Sequence, residues 1–143
     1  MTNKVTYSFN PFTSKLDAVR PKKVPSAESI VVVRNCAITA AVLDLTMESD
    51  NIVDGVDSVI DNADVRPIIG LIISKPTTTT CEVLLLGAMD GFSGLIKGKK
   101  VYVGTNGLVT QTLVTTGYIQ TLGVASDVDT VNFNPQLTRV LRT

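Results

Sequence analysis

The chain has 143 residues, 44% of them hydrophobic and 18% charged, which suffices for one cored domain and carries too little charge for an unfolded chain. Thirteen basic and thirteen acidic residues cancel, so no global field gathers nucleic acid or an anionic membrane surface. Histidine is absent, which excludes imidazole-based serine triads and zinc-hydrolase sites.

The local balance is uneven. Residues 1–23 carry Lys4, Lys15, Arg20, Lys22 and Lys23 against Asp17. Residues 24–74 carry Arg34 and Arg66 against eight acidic groups, among them Asp50, Asp54, Asp57, Asp61 and Asp64. A basic start therefore precedes an acidic middle. The first 25 residues also hold Tyr7, Phe9 and Phe12, three of the seven aromatics in the chain. Burying such side chains is worth about 1.5–3 kcal/mol each, so residues 1–25 read as an extended arm that packs onto a partner. Tyr7, Phe9, Pro11, Phe12, Leu16, Lys22 and Lys23 are its expected contacts.

From residue 26 to 143 the composition is that of a β domain. Seventeen of the chain's twenty Val, all ten Ile and fifteen of its eighteen Thr lie here; such side chains are stiff at χ1 and suit a pleated surface. Residues 30–33 form a buried-strand run, and residues 36–46 a second apolar run. Between Asp50 and Asp64, the valines and isoleucines follow a helical period with aspartates between them. The reading there is a loop with one helical turn, and the alternative is a short strand with an acidic loop. Residues 68–73 predict a buried strand, 77–80 a turn, and 81–86 the return strand.

Glycines then punctuate a loop at Gly87, Gly91, Gly94 and Gly98. Residues 99–103 predict a strand that turns at Asn106-Gly107, a pair that favours positive φ and a tight hairpin, into a second arm at 108–112. Strands at 118–125 and 130–133 follow. About eight to ten short strands in this spacing predict a compact β-sandwich or barrel-like domain. No apolar stretch nears the ~18 residues needed to span a bilayer, and the opening residues lack the apolar stretch of a signal peptide. Cys36 and Cys81, each within an apolar run, are expected to be buried thiols.

Motifs for chemistry are weak. The segment at 94–100 falls one residue short of a P-loop and has Lys100 where Ser or Thr would hold Mg²⁺. The aspartates lack the spacing and closing Glu of an EF-hand; they read as a solvated face or as a surface for the basic arm. Nothing marks a paired acid and base. No catalytic, cofactor or metal residue is therefore assigned.

Two stretches resemble a known family. Phe9-Asn10-Pro11-Phe12-Thr13-Ser14-Lys15-Leu16-Asp17 resembles an N-P-F-T-G-x-L-D segment of tailed-bacteriophage structural proteins, with Ser14 in the place of the glycine. Residues 91–103, 107–110, 123–125 and 130–135 are similar to a small β module of phage head-decoration, head-fibre and tail-fibre proteins. The resemblance implies a non-enzymatic virion protein made in the bacterial host cytoplasm. It would be homotrimeric and bound to the major capsid protein or other virion proteins. An auxiliary capsid role as cement, decoration or head fibre comes first, and a tail-fibre or adaptor role is the alternative. Neither role involves nucleic acid or a membrane.

Overall fold

The computed structural model describes residues 29–142. The arm residues Tyr7, Phe9, Pro11, Phe12, Leu16, Lys22 and Lys23 lie outside the described residues. The described chain is all β, in eleven strands: β1 (Ile30–Asn35), β2 (Leu45–Glu48), β3 (Val56–Ser58), β4 (Ile68–Ser74), β5 (Thr80–Met89), β6 (Lys100–Val103), β7 (Val109–Thr110), β8 (Gly117–Ile119), β9 (Thr121–Ala125), β10 (Val131–Phe133) and β11 (Val140–Arg142).

One sheet runs in the order β3-β2-β4-β5-β10-β9-β6-β7, with β1 added to β5, and β11 pairs β8 separately. Every strand pairing is antiparallel, and the sheet curls into a half-barrel, as a barrel-like domain requires. Strand β5 is the hub. Its residues 80–86 pair with β1, 82–84 with β4 and 87–89 with β10.

The curl needs glycine at one tight point. Gly123 has φ 151°, and a Cβ there would lie 2.1 Å from the Asn132 carbonyl oxygen. Only a residue without a side chain lets β9 approach β10 this closely, next to the register shift between Val101 and Tyr102 on β6.

Alternation along β4 and β5 separates two cores. Leu71 and Leu84, opposite one another, face the barrel interior with Leu45, Ile68, Val101, Val103, Leu122, Val131 and Phe133. Ile72 and Val83, the next pair, face outward onto Cys36, Ala40, Val56 and Cys81. Both faces of these strands are covered, which explains their continuous apolar runs.

The structure corrects several local expectations. Of the apolar run at 36–46, only the last two residues enter a strand, β2, and turns such as Ala40 N–H to Ala37 C=O at 3.1 Å fold residues 36–44 over the outer core. The Lys75 ammonium donates to the carbonyls of Ala37, Ile38 and Ala40, meeting acceptors that a neighbouring strand would otherwise have met. The acidic stretch holds no helical turn. It forms the turn closed by Gly55 N–H to Ile52 C=O at 3.0 Å, then β3. Pairing of β3 with β2 satisfies more backbone than a lone helical turn could. The single strand expected over 118–125 is two, β8 and β9, which pair with different partners. The hairpin at Asn106-Gly107 forms as expected between β6 and β7, with the Leu108 N–H donating to Asn106 Oδ1 at 3.1 Å.

Candidate functional site

The chemistry-bearing side chains gather where the acidic loop, residues 59–67, crosses the mouth of the half-barrel. Three polar side chains hold that loop. The buried Asn62 donates from Nδ2 to the Thr116 carbonyl at 2.7 Å, and its own carbonyl accepts from the Tyr118 N–H at 2.7 Å. Gly117 makes this approach possible, since a Cβ there would stand 2.6 Å from Asn62 Nδ2. Gln120, at the break between β8 and β9, lies fully inside. Its Oε1 accepts from the Ile68 N–H and its Nε2 donates to the Ile68 carbonyl, both at 2.8 Å. The amide thus imitates a strand partner for the first residue of β4, and it also donates to the Gln136 carbonyl at 2.9 Å.

The third is Arg139, just before β11. Its Nη1 donates to the carbonyls of Asp64 and Arg66, and its guanidinium lies 5.3 Å from the centre of the Tyr118 ring. Burial lowers its pKa from the ordinary arginine value, partly opposed by Asp64 and Tyr118.

Arg66 organises the carboxylates. Its fork grips Asp64, with Nη2 to Oδ2 at 2.8 Å and Nε to Oδ1 at 3.2 Å, and its Nη1 reaches Asp57 Oδ2 at 2.9 Å. Asp50 stands further off at 3.7 Å. Charge-assisted hydrogen bonds from the Arg66 side chain, and one from its backbone N–H, pull the Asp64 carboxyl down to about 2. Asp61 instead accepts the Ala63 N–H at 2.9 Å, a local turn.

Arg66, Asp57, Asp61 and Asp64 border an open groove of about 590 Å³, whose other walls include Met47, Ser58 and Ile60. Ile60 is 78% exposed. A second recess of about 530 Å³ beside the β6–β7 hairpin is lined by residues between Gly104 and Thr115, none of them titratable.

The arrangement supports binding more than proton transfer. A general acid needs a raised carboxyl pKa, whereas Asp64 is held ionised by the same guanidinium that grips Asp57. No group of three or more metal-ligating side chains suited to an ion occurs among the described residues. Of the candidate aspartates, Asp50, Asp57 and Asp64 come together on Arg66, while Asp54 sits in the turn beside Asn35 and Asp61 caps its own loop. Asn62, Gln120 and Arg139 carried no signal as members of this cluster, because an Asn, Gln or Arg becomes a clamp only once a distant carbonyl is placed against it.

The glycine-punctuated segment is a set of turns. Gly91, Gly94 and Gly98 all have positive φ and lead into β6. Cys36 and Cys81 are free and buried, and burial, with the neighbouring Cys36, pushes the Cys81 thiol up to about 11. No family model, curated protein or solved structure matches this chain.

Proposed function

We propose that this is a non-enzymatic structural protein of a phage virion: an auxiliary capsid protein, of the cement, decoration or head-fibre kind. In this reading the N-terminal arm attaches it to the head. The observation that carries the reading is an apolar surface fit for assembly. Ile30, Val31 and Val33 stand exposed along one strand, and Leu137, Val140 and Leu141 stand exposed near the C-terminus. Exposed apolar side chains such as these are what contact with other chains would cover, which supports the reading.

The resemblance adds weight of a particular sort. Its residues in the described chain build turns and core strands: Val101, Val103, Val131 and Phe133 are all buried in the barrel. They are a scaffold, and the attachment chemistry falls to the arm. Tyr7, Phe9, Pro11, Phe12 and Leu16 are its anchors, and Lys22 and Lys23 its partners for acidic surfaces. A homotrimer follows from the resemblance.

The test is attachment to purified phage heads. In the full-length chain, Tyr7→Ala, Phe9→Ala and Phe12→Ala together should abolish binding while the circular dichroism of the β domain is unchanged. Undiminished occupancy of the heads by this triple variant would refute the proposal. Copy number separates the alternative: tens to hundreds per particle fit the head, and a few fit a tail fibre or adaptor.

A further inference from the structure

Cys36 and Cys81 are the only cysteines of the chain, and the outer core brings them together. The register of β1 on β5 sets Arg34 against Cys81 and Asn35 against Thr80. One step further, the Cys36 N–H donates to the Thr79 carbonyl at 2.8 Å. Cys36 and Cys81 are therefore diagonal neighbours, and the alternation of side chains puts both on one face of the sheet. There they are buried as free thiols, packed with Ala40, Val56, Ile72 and Val83.

This spacing is wrong for a disulfide. Diagonal neighbours in an antiparallel sheet stand roughly 7–8 Å apart, whereas a disulfide wants Cα atoms within about 6.8 Å and Cβ atoms about 3.5–4.5 Å apart. A shared metal ion suits the wider gap. It places two bonds of roughly 2.3 Å between the sulfurs, taking zinc–thiolate as the guide, in place of one S–S bond of about 2.05 Å.

The surroundings choose among ions. Zinc asks for four ligands, and no group of three or more metal-ligating side chains occurs among the described residues. The other side chains packed here, Ala40, Val56, Ile72 and Val83, are apolar. Two soft donors in an apolar shell select a soft ion that accepts two ligands, which is the chemistry of Cu(I) and of its analogue Ag(I).

We propose that Cys36 and Cys81 together form a two-coordinate site for a soft monovalent cation of the Cu(I) class, sealed within the outer core. Binding makes two metal–sulfur bonds and releases both thiol protons to solvent, and no electron changes hands. The resulting bis-thiolate complex carries one negative charge. Positive charge stands nearby to balance it: the Lys75 ammonium first and Arg34 second favour the ionised form of Cys81, although burial outweighs them while no ion is bound. Arg34 already grips both carboxylate oxygens of Glu48, so the larger share falls to Lys75. That ammonium also fastens the turn at 37–40 through the carbonyls of Ala37, Ile38 and Ala40. Cys36 opens this turn and is 4% exposed, so the turn is what moves to admit an ion. The inference is independent of the virion reading.

The test is titration of the reduced, full-length protein with Cu(I) under anaerobic conditions, against a competing Cu(I) chelator, with native mass spectrometry as the count. One Cu(I) per folded chain is expected, with the mass change showing loss of two protons. Cys36→Ala and Cys81→Ala should each weaken binding by more than the ~10–100-fold that loss of an indirect partner costs. Lys75→Met should weaken it by about tenfold, with circular dichroism confirming that each variant is folded. No uptake by the folded parent overturns the proposal, as does uptake only after unfolding in urea. Binding retained by either single-cysteine variant overturns it too, since the thiols then act separately. Ready formation of a Cys36–Cys81 disulfide by glutathione disulfide, with the fold intact, overturns the spacing on which the site depends.

Discussion

The two halves of this domain are held by different physics. The barrel interior is apolar throughout: Phe133, Leu122, Leu71 and Leu84 meet with almost no exposed surface. The loop across its mouth is held by Asn62, Gln120, Arg66 and Arg139, whose bonds run to backbone carbonyls and carboxylates. Burial of area is forgiving about direction, whereas each of these polar bonds requires one atom in one place. The difference explains why the carboxylates of the groove stay where they are. The loop could not be anchored by hydrophobic side chains without losing the charges it displays.

The largest contrast is expected in the barrel. Phe133→Ala removes a fully buried ring and should lower stability by about 3–5 kcal/mol, read as a drop in the midpoint of urea unfolding. A much smaller loss would mean that the half-barrel collapses onto the cavity, and that its interior is less tightly packed than described.

Gln120→Met sharpens the comparison from the other side. It keeps length and removes the amide, leaving the Ile68 N–H and C=O without the partners they have now. Its cost should be about 2–4 kcal/mol, from the two stranded groups of Ile68 and the Gln136 carbonyl, which loses the same amide. Amide exchange should accelerate at Ile68 before it does in β5. A loss below ~1 kcal/mol would show that water replaces the amide and that the clamp is dispensable.

The smallest effect is in pH dependence. Asp64 is held at about 2 by Arg66, below the ~3.9 of an unfolded aspartate. Its contribution to stability is therefore complete above pH ~4 and is lost as pH falls through about 2. With the pair partly open to solvent, the amount is about 1 kcal/mol or less. Denaturant titrations from pH 5 to pH 2 should show this loss in the parent chain and a flatter slope in Arg66→Met. Equal slopes would separate Asp64 from Arg66 in solution.

Much of the fold was legible in the residues, for local reasons. The β4 and β5 runs are near-continuous Ile, Leu and Val, and the Asn106-Gly107 pair supplies the backbone freedom of the β6–β7 turn; both signals act within a few residues. The failures share one cause. Residues 36–44 are apolar enough for a strand, but the ammonium of Lys75, just past the end of β4, meets their carbonyls. The 118–125 run divides at Gln120 because Ile68, 52 positions away, engages that side chain. For the groove, the aspartates were visible as an acidic stretch, while its organising pair of arginines was not. Arg66 and Arg139 stand 73 residues apart and meet only through a carbonyl.

By itself the sequence determined an antiparallel β domain with many short strands, two buried thiols, and a charge division between a basic start and an acidic middle. Those follow from side-chain shape, hydrophobic alternation and turn chemistry, which act over neighbouring residues. Only the tertiary structure decided which strand lies beside which, where β8 parts from β9, and which carboxylates share a guanidinium. Such choices depend on contacts between residues far apart in the chain. Their free energy exists only after the sheet has curled and brought the partners within hydrogen-bonding distance.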